Sequence, residues 1–220
     1  MCGRYTHLFT WEELHRLSTL TTPPMELGRS FNVAPTQRAP VIRWVEGGGH
    51  SLDLLKWGLV PFWAKDEKIG NSLINARGET VAEKPAFRVA FKSRRCIVPA
   101  SGFYEWKKEE KGKQPVYIQS SSGEPLLFAG LWERWEPTEG APLETFTIIT
   151  TGPNEMMAKL HDRMPVIVAR EDIDAWLDPG SKSASGLVRP YPSELMMCYP
   201  VSTRVNSPKN NDELCAERIG

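Results

Sequence analysis

At about 150 residues per domain, a chain of 220 residues has room for one large domain with a sizeable core and barely for two small ones. Its 27 basic residues cancel its 27 acidic ones and 40% of it is hydrophobic, which excludes a disordered polyelectrolyte or a tail-driven nucleic-acid binder and requires any bound anion to be held by a local patch. No apolar run approaches the ~18 residues that span a bilayer and none resembles a signal peptide, so the expectation is a soluble, cytoplasmic protein with no membrane partner.

The first element along the chain is a helix. Thr10 and Glu13 form a capping-box pair, and Leu14, Leu17 and Leu20 give helical spacing that ends before Pro23 and Pro24. From Phe31 the pattern changes to short apolar or alternating runs at turn-punctuated spacing. They are Val41 to Val45, Leu52 to Trp57, Cys96 to Val98, Val116 to Ile118, Leu126 to Leu131, Phe146 to Thr150 and Val166 to Val168, all read as strands. Gly47, Gly48 and Gly49 predict a flexible turn, and residues 107–114 (KKEEKGKQ) a charged hairpin tip around Gly112.

Helical signals return at Glu79 to Phe91, at Asn154 to Leu160 with Asn154 as cap, and at Glu171 to Leu177. Eighteen prolines and 17 glycines agree with many turns and few long helices. The fold class expected is α+β: one domain over residues 1–220, with a curved, barrel-like, mainly antiparallel β core and a few peripheral helices. Residues 84–95 stand apart electrostatically, with Lys84, Arg88, Lys92, Arg94 and Arg95 and no acid, which fits either a phosphate-facing patch or an ordinary solvated helix face.

Cys2, Cys96, Cys198 and Cys215 include no Cys-x-x-Cys pair, and His7, His15, His50 and His161 add no ligand spacing, so neither a metal nor another cofactor is expected. Cys96, on an apolar strand, reads as an inert core thiol. Cys2 is chemically distinctive. Removal of Met1 would leave a 1,2-aminothiol whose amine, of ordinary pKa about 7.7 to 8.0, is partly neutral near pH 7 and attacks aldehydes, after which the thiol can close a five-membered thiazolidine. Standing alone, Cys2 would more simply be a chance cysteine behind the start codon.

It belongs, however, to a series of blocks. Cys2-Gly3-Arg4 opens the series, and Phe31-Asn32-Val33-Ala34-Pro35, Trp57-Gly58-Leu59-Val60-Pro61-Phe62-Trp63 and Asn75-Ala76-Arg77-Gly78-Glu79-Thr80 come next. Arg95 to Trp106, ending Ser101-Gly102-Phe103-Tyr104-Glu105-Trp106, and His161-Asp162-Arg163-Met164-Pro165-Val166 complete it. In this order the blocks closely resemble the SOS response-associated peptidase family, whose members shield abasic sites in single-stranded DNA by a covalent link through an N-terminal cysteine. The resemblance runs from Cys2 to about Val205.

Carried over block by block, the resemblance implies that Cys2 is the nucleophile, that Asn75 orients it, and that Glu105 and His161 handle protons. It also implies autocatalytic loss of Met1, an abasic single strand as partner, and DNA contacts within the matched blocks. Arg4, Arg77 and Arg163 are suited to phosphates and Pro35, Trp63 and Trp106 to stacked bases. On residue chemistry alone, Glu105 between Tyr104 and Trp106 is placed for a raised carboxyl pKa, although a strand Glu is more often solvated or salt-bridged. His161 before Asp162 and Arg163 is more often a satisfied structural residue, and an internal ion pair is the alternative for any of the three arginines. Two other readings stay open: an N-terminal-nucleophile amide hydrolase, and a noncovalent single-strand binder. A monomer is expected.

Overall fold

The computed structural model describes residues 2–110 and 112–220; Met1, whose removal the aminothiol chemistry requires, and Lys111, in the expected hairpin tip, lie outside the described residues. Twelve strands are described: β1 (Tyr5–His7), β2 (Ser30–Val33), β3 (Arg38–Trp44), β4 (His50–Trp57), β5 (Asn75–Arg77), β6 (Arg95–Ala100), β7 (Gly102–Glu109), β8 (Gly112–Ser120), β9 (Leu126–Trp135), β10 (Leu143–Thr151), β11 (Met164–Pro165) and β12 (Met196–Pro200). Three short α-helices, α1 (Trp11–Leu17), α2 (Arg88–Ser93) and α3 (Ile173–Leu177), lie outside them.

Strands β10, β4, β3, β6 and β9 pair in that order, and β9 pairs again with β10, closing a five-stranded barrel. All its seams are antiparallel except β10 with β4. A second, antiparallel sheet has the order β12, β8, β7, β1, β2. The expected α+β architecture with a barrel-like, mainly antiparallel core is therefore what the chain adopts.

The barrel strands bury both faces, which is why they read as near-continuous apolar runs. Val41, Leu55, Cys96, Val98, Phe128, Phe146 and Ile148 pack with Tyr5, Val33, Phe103 and Ile118 of the sheet. The alternate residues Ile42, Leu52, Ile97, Ala129, Leu131 and Ile149 pack against Leu14, Phe87, Ala90, Ile173 and Trp176 from the helices. The sheet's other face carries Tyr104, Tyr117, Val201, Val205 and Cys215, covered by the C-terminal segment.

Several local expectations need correction. The first helix has the Thr10–Glu13 capping box but stops at Leu17, because Leu20 bridges His50 instead. Residues 79–87 form successive turns interrupted by Pro85, and the helix covers only Arg88–Ser93. Asn154 does cap, accepting from the Met157 amide at 2.8 Å, but it caps only a single 3₁₀ turn, Met157–Lys159. Glu171–Leu177 divides into a 3₁₀ turn and the five-residue α3. Val166–Val168 is bonded to Ile149, Ala129 and Leu127 but forms only an isolated bridge, the short strand β11 preceding it.

Candidate active site

The start of the chain runs beside β7. Tyr5 lies opposite Phe103 and Thr6 opposite Gly102, and the Tyr104 amide donates to the Arg4 carbonyl at 3.0 Å, so extending this register puts Glu105 opposite Gly3. Cys2 is wholly buried in the cluster between barrel and sheet, with Tyr5 and Trp57, whose rings meet edge to face at 5.2 Å. Strand β5, parallel to β10, brings in Asn75, whose Nδ2 donates to the Cys2 carbonyl at 2.9 Å. The other amide atom of Asn75, Oδ1, is buried and accepts no hydrogen bond from the described residues.

Burial pushes the Cys2 thiol well above its ordinary range, the Glu105 carboxylate adds to that, and the Arg4 amide N–H bonded to the sulfur opposes it. Glu105 is 2% exposed, and burial raises its carboxyl pKa as well, while the charge of His161 pulls it back down. The direction and its cause, desolvation, agree with the sequence reading, but the flanking rings are not what supplies it. Strand alternation turns Tyr104 and Trp106 to the opposite face of β7, with Val201 and Val205, and leaves Glu105 on the same face as Phe103 and Cys2. Nδ1 of His161 lies 3.0 Å from the Arg163 amide nitrogen, a contact it accepts when the neutral ring carries its proton on Nε2. Protonation would instead turn Nδ1 into a donor toward the exposed Asp162 carboxylate, 2.8 Å away.

Thus four separate segments bring Asn75 onto the Cys2 carbonyl, Glu105 within electrostatic reach of the Cys2 thiol, and His161 within electrostatic reach of Glu105. The arrangement sets a protonated thiol beside a buried carboxyl whose pKa is raised, with an imidazole next to the carboxyl.

The expected DNA contacts divide. Arg4 Nη1 donates to the Val205 carbonyl at 2.8 Å and to Asn32 Oδ1 at 2.9 Å, and its Nη2 to the Asn206 carbonyl at 3.3 Å, so most of its fork is engaged inside the fold. Trp106 joins the same turn, its Nε1 donating to Asn206 Oδ1 at 2.7 Å. Arg163 grips Glu79 with both Nη atoms, at 2.6 and 2.9 Å, and adds the Thr150 carbonyl. Arg77, two residues beyond Asn75, is exposed. Pro35 is half-buried at the second position of the turn Ala34–Gln37, which is closed by the Gln37 amide on the Ala34 carbonyl. Trp63 is 47% exposed, next to the exposed Phe62, with its Nε1 on the Pro85 carbonyl at 3.4 Å.

Glu79 and Asn32 organise this surface and carried no role in the sequence reading. Both stood inside the quoted blocks, and an acid two residues after Arg77 was the available signal for an internal ion pair. Among the cysteines, Cys96 and Cys215 are buried and Cys198 is exposed; burial raises the Cys96 thiol far above its ordinary range, in line with an inert core residue.

Comparison with known proteins adds to the geometry. The sequence matches the model of a family described as SOS response associated peptidase over residues 1–208. It is 46% identical over 217 residues to abasic site processing protein YoqW of Bacillus subtilis, covering 96% of each chain. It is 33% identical over 223 residues to abasic site processing protein HMCES of Xenopus tropicalis, covering 86% of this chain and 66% of that one. A crystal structure of a protein from Bacteroides thetaiotaomicron superposes with a TM-score of 0.79 at 33% identity, over 86% of this chain and 85% of that one.

Proposed function

Because the chain belongs to the SOS response associated peptidase family, we propose that it processes abasic sites in DNA, and specifically that it shields them in single strands by a covalent link through Cys2, as a single domain over its whole length. The observation that carries this reading is the gathering of a cysteine at position 2, held by Asn75 through its carbonyl, with the buried Glu105 and with His161.

The chemistry begins with hydrolysis of the Met1–Cys2 bond, which frees the α-amine. That amine adds to the aldehyde carbon of the ring-opened sugar, and loss of one water leaves an imine. The Cys2 sulfur then adds to the imine carbon while the imine nitrogen takes up a proton, closing a thiazolidine; from free amine and aldehyde the net change is one water released. Burial keeps the thiol protonated at rest, so a base must take its proton as it attacks. Glu105 is that base, and its raised pKa lets it return the proton to nitrogen. His161, with its proton on Nε2, serves the sugar oxygen as the ring opens and closes. Arg77, Pro35, Trp63 and Trp106 take the flanking phosphates and bases, while Arg163 and Arg4 reach phosphate by releasing Glu79 or the 205–206 carbonyls, or else shape the site from beneath.

The test is intact mass and denaturing electrophoresis after mixing processed protein with an abasic oligonucleotide. The expected product is a heat-stable adduct that forms without borohydride and leaves the strand unbroken, with Cys2→Ser giving a labile, reductant-dependent product and more nicking. Efficient nicking by the unmodified protein with a strict need for reductant would mean an open-imine lyase. Turnover of small amides with no DNA adduct would mean a hydrolase.

A further inference from the structure

The basic run 84–95 divides in the structure into an internal half and an external half. Arg94 is paired with Glu133 at 2.6 Å, and Arg95 is buried with its guanidinium on the carbonyls of Trp176, Asp178, Phe91 and Lys92. Lys84, Arg88 and Lys92 are exposed and lie four residues apart, with no ion pair among the described residues.

Their backbone is a run of turns that leads into α2. The Thr80 amide bonds the Arg77 carbonyl, the Lys84 amide the Thr80 carbonyl and the Arg88 amide the Lys84 carbonyl, and α2 carries the path to Lys92. Within α2, at 1.5 Å per residue, Arg88 and Lys92 stand about 6 Å apart along the axis, close to the step between phosphates of an extended strand, and Lys84 lies one turn before them. Glu83 is the only acid between Thr80 and Ser93. The exposed ring of Trp63 flanks the row's start, its Nε1 on the Pro85 carbonyl.

We propose that Lys84, Arg88 and Lys92 form a phosphate track that carries the undamaged part of a single strand away from the Cys2 site, entered past Arg77 and the Trp63 ring. This rests on the reading of the chain as a single-strand binder. In a protein of zero formal net charge a local row of cations is what gives the strand a direction, and a stacking ring at its start is the other half of a single-strand groove.

The experiment compares the unmodified protein with Lys84→Gln/Arg88→Gln/Lys92→Gln on an undamaged oligothymidylate of twenty nucleotides across a salt series. A control variant, Lys182→Gln/Arg189→Gln/Arg218→Gln, removes three exposed charges elsewhere. The track variant is expected to bind about tenfold more weakly at low salt, with a log–log salt slope smaller by about 2, as for three lost single-strand phosphate contacts at ~0.7 each. The control variant should keep the slope, and Lys84→Arg/Arg88→Lys/Lys92→Arg should restore it. Adduct yield on a lesion carrying only two nucleotides on each side should be unchanged by the track variant. That short substrate tests the Cys2 chemistry by itself, whereas the undamaged strand tests the track whether or not an adduct forms. An unchanged slope in the track variant, an equal loss in the control, or a larger loss on duplex than on single strand would overturn the proposal.

Discussion

At the scale of single residues, two positions are held in states that cost the fold something. Glu105 has a carboxyl pKa raised by burial, so its ionised form opposes folding: the native state holds this proton more tightly than the unfolded chain, and stability falls as pH rises from the ordinary Glu range through the raised value. Glu105→Gln keeps the shape and removes the charge. It is expected to raise the melting temperature at pH 8 while slowing Met1 release or adduct formation by the ~10²- to 10⁴-fold typical of a lost general acid or base. A variant that gains stability and keeps wild-type rates would make Glu105 a structural residue. Thr36 is the second position. It has φ of 74°, the left-handed region that a β-branched side chain disfavours by roughly 1–2 kcal/mol, and it sits after Pro35 in the third position of its turn, with its amide bonded to the Trp57 carbonyl. Thr36→Asn should therefore stabilise the protein by about 1 kcal/mol, or about 2–4 °C in melting temperature, since Asn tolerates this region without the chain entropy of Gly. Thr36→Gly should gain less. Scanning calorimetry of the three proteins checks the order.

At the scale of elements, the C-terminal segment is a clasp over the sheet edge. Strand β2 is the last in its sheet, and its outer backbone is met by a side chain: Asn211 Oδ1 accepts from the Phe31 and Asn32 amides at 2.7 and 3.1 Å. Asn32 returns the contact, its Nδ2 donating to the carbonyls of Val205, Ser207 and Asn210 while its Oδ1 accepts from Arg4. Asn32→Leu removes three donated hydrogen bonds, although the Val205 and Ser207 carbonyls keep Arg4 and the Asn210 amide as donors, so at about 1 kcal/mol per bond we expect a loss of roughly 3 kcal/mol and new protease cleavage after residue 203, read by limited proteolysis and mass spectrometry. Cleavage unchanged from wild type would show that the clasp holds without Asn32. None of this could be read from spacing, because the partners are polar and far apart in sequence, Asn32 and Ser207 by 175 positions. The barrel strands β3, β4, β6, β9 and β10 were legible because apolar side chains fall on both their faces. β1 and β5 were not: three residues each, with His7 or Asn75 and Arg77 aboard, show no alternation. The candidate site was legible only as matched blocks; that Glu105 faces Cys2 and not the flanking rings comes from register, which composition does not encode.

At the scale of the whole molecule, pH acts on stability through a histidine far from the chemistry in role, though it ends the strand that starts beside Cys2. His7 is 2% exposed, neither ring nitrogen has a hydrogen-bond partner among the described residues, and it borders a cleft of about 250 Å³ with Leu27, Val33, Pro40 and Leu54. Burial lowers its pKa from 6.5 to about 4. Between those two values the unfolded chain binds a proton that the folded chain refuses, so stability is complete above pH 6.5 and is lost as pH falls toward 4. A shift of this size corresponds to about 3 kcal/mol in full, of which about 2 should disappear between pH 7 and pH 5. His50 contributes in the same direction, its pKa lowered by burial against the opposing charge of Asp174, so the wild-type curve alone does not isolate His7. His7→Leu does: it fits an apolar setting, removes both unpartnered nitrogens and deletes the titration. Urea unfolding at pH 7 and pH 5 should show the variant at least as stable as wild type at pH 7 and ahead of it by about 2 kcal/mol more at pH 5. Parallel pH dependences for the two proteins would mean that the His7 ring is protonated at no cost in the folded state, and that the acid sensitivity of the fold belongs to His50 and to the Arg163–Glu79 pair, whose carboxylate is held below its ordinary pKa chiefly by the arginine's hydrogen bonds.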